Sequence, residues 1–225
     1  HPALMFHLHY YPSTASMVPH IVLEELGVPY QRVLVDRAVD AHKAPAYLKL
    51  NPNGLIPVLT QDELPGGPLV LYETAAIVLH LCDLHPDAGL APPVGSVARG
   101  HFYKWLMWLT NTLQSTLIVY FYPERWVAAG NAAGAAEVKS AAEAKISGLL
   151  DQLDAELARH GQDWFMGADI TALDAYVFTL CRWTRNFASV PARARPHLGP
   201  YLQRMLARPA LQRVLVAEQL APPFV

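Results

Sequence analysis

Strand-like patterns stop early in this 225-residue chain, and beyond about residue 95 only helical periodicity remains. Over residues 5 to 12, Phe6, Leu8 and Tyr10 alternate with other residues as in a short strand. Over 15 to 26, Met17, Ile21, Val22 and Leu26 fall at helical spacing until Gly27 and Pro29 end the run. YQRVLV at 30 to 35 reads as a second strand and 44 to 50 as a short helix. VLT and PLVLY read as two strands joined through the Pro-Gly-Gly connection over 61 to 67, and 73 to 85 as an amphipathic helix. The order is β-α-β-α-β-β-α. After the loop PDAGLAPPVG come three long helical patterns, over 98 to 122, 135 to 159 and 173 to 187, and two short ones over 196 to 207 and 209 to 217. The pattern predicts an α+β domain over 5–86 joined to an all-α domain over 95–220. The first four residues, His-Pro-Ala-Leu, are set aside from this reading.

Composition narrows the function classes. A formal net charge of -2 lacks the basic footprint of a nucleic-acid binder. No apolar run reaches the roughly 18 residues of a membrane-spanning helix, and no signal-peptide pattern opens the chain, so a soluble, cytoplasmic protein is expected. Cys82 and Cys181 each sit in an apolar periodic segment and read as buried thiols. Cations are scarce in the first 86 residues, which hold four Lys or Arg against eight Asp or Glu, so Arg32, Arg37, Lys43 and Lys49 stand out.

Within ITALDAYVF, Thr171 and Asp174 form a capping-box pair that starts a buried helix. Pro57 in NPNGLIPVL interrupts an apolar run that otherwise reads as a strand, although proline has no amide proton to donate. A cis bond at Pro57 would turn the chain sharply and leave the Ile56 and Val58 backbone facing an extended ligand. The helix starting at Glu73 and Thr74 offers unpaired amides and a positive dipole end to a carboxylate. Other chemistries find no support. His7 and His9 lack further ligands at metal spacing, so no metal is expected, and the nucleophile elbow, the Walker loop and the dinucleotide fingerprint are all missing. Where a C-x-x-C pair would signal dithiol redox chemistry, the chain has Pro12-Ser13-Thr14-Ala15.

Four segments in this order, YYPSTASMVPHIVLEELGVPY, HKAPAYLKLNPNGLIPVL, LVLYETAAIVLHLCD and WFMGADITALDAYVF, resemble cytosolic glutathione S-transferases of bacterial type, and the likeness runs from Met5 to about residue 217. The resemblance implies a thioredoxin-like N-terminal domain, an all-helical C-terminal domain, and a homodimer with one glutathione site per subunit. It implies that Pro57 is cis and that Val58, with Ile56, bonds the cysteinyl backbone of glutathione. Glu73 and Thr74 would receive the γ-glutamyl end, and His42 and Lys43 the glycine carboxylate. Gln114 would stand near the sulfur. The acceptor pocket would draw on the aromatic helix over 98 to 122, with Trp108 and Tyr120 as lining residues beside Gln114, and with Trp105, Phe121 and Tyr122 as further candidates.

The resemblance leaves the thiol activator open. Counted back from Ile21, Ser13 stands where serine-type classes keep their serine, and Ala15 stands where the bacterial β class keeps cysteine. Tyr10 is close to the tyrosine of tyrosine-type classes, and Ser16 follows the missing cysteine. Three hydroxyls therefore compete, in the order Ser13, Ser16, Tyr10, against the plainer role of capping the helix that starts there. The implied function is conjugation of the glutathione thiolate, as co-substrate, to a hydrophobic electrophile. The alternatives are a non-catalytic binding module of the same fold and a glutathione-dependent isomerase or ether-cleaving enzyme.

Overall fold

Four strands build one sheet in the order β2-β1-β3-β4, with β1 at Phe6–Tyr10, β2 at Tyr30–Leu34, β3 at Val58–Gln61 and β4 at Leu69–Tyr72. β1 runs parallel to β2 and antiparallel to β3, which runs antiparallel to β4. The computed structural model describes residues 5–62 and 64–225; the four residues set aside above lie outside them, as does residue 63 of the 61 to 67 connection. Helix α1 (Met17–Leu26) carries the chain from β1 to β2, α2 (Pro45–Leu48) precedes β3, and α3 (Thr74–Leu84) follows β4. The β-α-β-α-β-β-α order is the expected one. Gly27 closes α1 with φ +65°, and its amide bonds Leu23 O at 3.1 Å. Pro19 is tolerated in α1 because it falls in the first turn, where no intrahelical amide is needed.

Two compact units divide the chain: residues up to Ala91 together with Arg208–Ala221, and Pro92–Ala207 together with Pro222–Val225. The segment expected as one domain over 95–220 is therefore split, because helix α9 (Pro209–Ala217) folds with the first unit. It buries Ala210, Leu211, Val214 and Leu215, and paired charges join it to α1. Arg208 makes a two-pronged ion pair with Glu25 at 2.6 and 2.7 Å, and Arg213 bonds Glu24 at 2.5 Å, both on α1. The core of this unit packs Leu8, Met17, Ile21, Leu59, Ile77 and Leu81, all at 0% exposure. Each contributes about 1.5–3 kcal/mol by burial. Val35, Tyr47 and Val58 form a second cluster with Ile56 and Tyr72 around it.

The second unit is helical, apart from one isolated bridge between Trp164 and Gly167 among the described residues. Helix α4 (Val97–Trp108) passes through a π turn at Leu109–Gln114 into α5 (Ser115–Phe121), so the run expected over 98 to 122 is broken in its middle. Helix α6 (Ala132–His160) buries Ile146, Leu150, Leu153 and Leu157, one stripe at spacings of four and three. Helix α7 (Ala172–Trp183) is buried from Ala172 to Arg182 and forms the unit's centre, and α8 (Leu198–Leu206) completes the unit. The expected capping box is present: Asp174 accepts from the Thr171 amide at 2.8 Å, while Thr171 Oγ1 accepts from the Leu173 amide at 3.3 Å. The same carboxylate also accepts the Phe165 amide and the Tyr201 hydroxyl.

Candidate functional site

Strand register brings four chain segments to one end of the sheet. His9 stands opposite Val58, and Val58 opposite Tyr72, so the end of β1, the start of β3 and the end of β4 lie side by side. Leu34 at the end of β2 pairs with Tyr10 at the end of β1. Out of this end emerge the Ser13 turn, the loop carrying His42 and Lys43, the Ile56–Pro57 bond and the Glu73 junction. The N-termini of α1 and α3 start here too, and their first amides have no intrahelical acceptors. Two partial positive charges thus stand at the rim of one site.

Ile56–Pro57 is cis, as the sequence led one to expect. The loop before it is pinned from below: Leu55 O accepts the Tyr47 hydroxyl at 2.7 Å and Asn51 Nδ2 at 3.0 Å, and Asn51 Oδ1 accepts the Asn53 amide at 3.0 Å. Gly54 sits at φ +62° with its vacant Cβ position 3.1 Å from His42 O, so the NPNG turn closes on the His42 loop and a side chain at this position would be strained. The role foreseen for Val58 needs correction. Val58 opens β3, is fully buried, and is in register with strands on both sides, so its backbone belongs to the sheet. Ile56, half-buried on the outer side of the cis bond, is the residue left at the rim.

Three non-glycine residues on the loops at this end have left-handed φ, Ser13 at 62°, Asp40 at 55° and Glu73 at 75°. Such conformations cost roughly 1–3 kcal/mol and persist where the surroundings enforce them. Glu73 is exposed, and its carboxylate does not cap α3. Thr74 is buried at the first position of the helix. At Ser13 the enforcing partner is Glu218, just past α9, whose Oε2 takes the Ser13 amide at 2.8 Å. Glu218 also meets His20 Nδ1 at 2.7 Å, and both side chains are 0% exposed.

The three competing hydroxyls are placed differently. Ser13 is half-buried in the turn. Ser16 is fully buried: its hydroxyl donates to Tyr11 O at 3.0 Å, lies 2.9 Å from Thr14 Oγ1, and makes no capping bond to α1. Enclosed in this way, it presents no hydroxyl at the surface and does not cap the helix it precedes. The Tyr10 hydroxyl accepts from Arg32 Nη1 at 3.2 Å under a guanidinium 5.0 Å from the ring centre. Lys43 pairs with Asp40 at 3.0 Å on the surface, and this hydrogen bond holds the Asp40 carboxyl below its usual range. His42 keeps Nε2 at 4.0 Å from Asp40, while its Nδ1 is buried without a partner among the described residues. A buried ring nitrogen with nothing to bond costs about 1–3 kcal/mol unless a ligand fills the gap. Burial raises the Cys181 thiol to about 12, so this sulfur is inert.

Among the acceptor candidates in the second unit, Trp108 and Gln114 are half-buried, Trp108 just before the π turn and Gln114 at its last residue, a distortion that recurs at functional sites. Gln114 Oε1 accepts the Tyr176 hydroxyl. Tyr120 is instead a core residue, packed on Phe187 with ring centres 4.2 Å apart and covered by Lys139 Nζ at 4.9 Å. Trp105 is likewise enclosed, edge-on between Trp108 and Phe165. Phe121 is 44% exposed, and Tyr122 lies under the Arg125 guanidinium. Sequence reasoning missed His20, Tyr30, Glu218, Tyr47 and Asn51. For Asn51 the NPNG turn was a usable signal, since a side-chain amide two residues ahead commonly closes such a turn; for the others no local signal existed.

Residues 12–84 match the family described as glutathione S-transferase, N-terminal domain, and residues 110–209 match glutathione S-transferase, C-terminal domain. The glutathione S-transferase GstA of Escherichia coli O157:H7 is 30% identical over 95% of this chain and 98% of its own length. A sphingomonad glutathione S-transferase solved in complex with glutathione is 32% identical, with a TM-score of 0.79 over 96% of this chain and 100% of that one. A glutathione transferase homologue from sulfitobacter with bound glutathione superposes at a TM-score of 0.84, with 26% identity over 96% of this chain and 99% of that one.

Proposed function

Because this chain belongs to the glutathione S-transferase family, we propose that it joins the glutathione thiolate to a hydrophobic electrophile, with the glutathione site at the shared end of the sheet. The observation that carries this reading is the pair of left-handed residues, Ser13 and Glu73, on two loops beside the cis Pro57. In this reading the Ile56 backbone pairs with the cysteinyl unit. Glu73 and Thr74 at the start of α3 take the γ-glutamyl end, where helix amides face its carboxylate. His42, with its unsatisfied Nδ1, and Lys43 take the glycine carboxylate. The N-terminus of α1 and the Ser13 hydroxyl stand by the sulfur. They favour the thiolate, which is the nucleophile, and the proton leaves to solvent. Sulfur then bonds the electrophilic carbon as the leaving group departs with its electron pair. Trp108 and Gln114 are our acceptor-side candidates. On the same family footing we propose a homodimer acting in the cytoplasm.

A dinitrochlorobenzene-type conjugation assay tests the activator. Ser13→Ala is expected to lower kcat/KM by about 10²-fold, and Tyr10→Phe and Ser16→Ala much less. Full turnover in Ser13→Ala would remove Ser13 from the role.

A further inference from the structure

A row of polar groups runs from the Ser13 turn to the surface of the first unit, and its hydrogen bonds have fixed directions. The Ser13 amide donates to Glu218 Oε2 at 2.8 Å. Glu218 Oε1 lies 2.7 Å from His20 Nδ1, and His20 Nε2 lies 3.0 Å from the Tyr30 hydroxyl. That hydroxyl donates to Glu24 Oε1 at 2.5 Å, and Glu24 Oε2 accepts from Arg213 Nε at 2.5 Å. Burial pushes the Glu24 carboxyl up, but the bonds from Tyr30 and Arg213 outweigh it and hold Glu24 low, hence ionised. Burial, and then the bond to Glu24, push the Tyr30 phenol well up, so it keeps its proton.

A phenol has one hydrogen to give. Since Tyr30 gives it to Glu24, the phenol oxygen is an acceptor toward His20, and Nε2 must carry a hydrogen. A ring protonated on Nε2 alone would turn a bare Nδ1 lone pair toward a carboxylate oxygen at 2.7 Å, with nothing between them. A second proton therefore lies between Nδ1 and Oε1. The buried pair holds two protons and is neutral as a whole, which is how a carboxylate at 0% exposure is accommodated.

We infer that Tyr30 is a positioning residue for the site: by accepting from His20 Nε2 it fixes the two-proton state of the His20–Glu218 pair, and Glu218 so held captures the Ser13 amide and keeps the turn left-handed. Without the Tyr30 oxygen, Nε2 loses its acceptor, the ring keeps one hydrogen on Nδ1, and Glu218 is left as an unbalanced buried charge that draws in water and loosens its hold on Ser13. The catalytic consequence rests on the proposed glutathione site; the proton count does not.

The experiment is long-range nitrogen–proton NMR on ¹⁵N-histidine-labelled protein at neutral pH, native and Tyr30→Phe, together with glutathione kinetics. In the native protein His20 Nε2 is expected to report an attached proton. Tyr30→Phe is expected to lose it and to raise KM for glutathione about fivefold with kcat little changed. A bare Nε2 in the native protein overturns the inference, even if Tyr30→Phe does not fold, and so does a Tyr30→Phe protein with native signals and native KM. If the histidine signals change as expected but neither protein binds glutathione, the fault lies with the proposed function and not with the hold of Tyr30 on the pair.

Discussion

Asp174 in the second unit and Glu218 in the first are both buried carboxylates with several donors, but their partners differ in distance along the chain. Asp174 takes the Thr171 and Phe165 amides, three and nine residues away, and the Tyr201 hydroxyl. Glu218 takes the Ser13 amide, 205 residues away, and faces His20, 198 residues away. The first closes on its own neighbourhood and starts a helix. The second ties the end of α9 to a turn whose backbone would otherwise relax. Equal burial thus serves two purposes: Asp174 secures a core and Glu218 secures a shape at the candidate site.

Breaking each carboxylate separates these purposes. Asp174→Ala strands three donors and is expected to lower stability by about 4 kcal/mol, read as a fall in the urea midpoint, while glutathione affinity of the protein still folded stays at the native value. Glu218→Gln removes one side of a buried pair, which typically costs about 3 kcal/mol. Unlike the first variant, it is expected also to lower kcat/KM for glutathione about tenfold in folded protein. Equal effects of the two variants on kcat/KM would erase the distinction.

A partly exposed carboxylate in the second unit gives a weaker, pH-dependent contrast. Burial raises Asp154, but the His197 ring and the amides of Leu198 and His197 outweigh it and hold the carboxyl below its ordinary range. A carboxyl lowered on folding stabilises fully above its unfolded value of about 4, and the gain is lost as pH falls through the lower folded value. Asp154→Asn is therefore expected to flatten the acid limb of the stability curve below about pH 4 and to leave neutral-pH conjugation unchanged. An unaltered acid limb would show that these bonds do not discriminate between folded and unfolded chain.

The same contrast explains what could be read in the amino acids. ITALD announced its capping box because Thr171 and Asp174 meet within one turn, Gly27 marked the end of α1, and the cis bond at Pro57 followed from the family resemblance. Glu218 could not be found this way: its partners lie at the other end of the chain, and α9 carries no sign of the unit it joins. The π turn at Leu109–Gln114 is equally silent, since the bond from Tyr176 to Gln114 spans 62 residues. Val58 was misread because the bend at Pro57 and the register of the next residue were treated as one signal, whereas the pairing with His9 and Tyr72 resumes at once. Ser16 is an activator candidate only by its place after the missing cysteine, and nothing local signals that its hydroxyl bonds backward to Tyr11 inside the core.

Calorimetric titration of the native protein with glutathione asks most directly whether the end of the sheet is a glutathione site. Saturable binding at one site per chain, at or below millimolar concentration, is the predicted result. No heat of binding at millimolar glutathione would contradict it, and would leave the left-handed turns at Ser13 and Glu73 without a ligand to explain them.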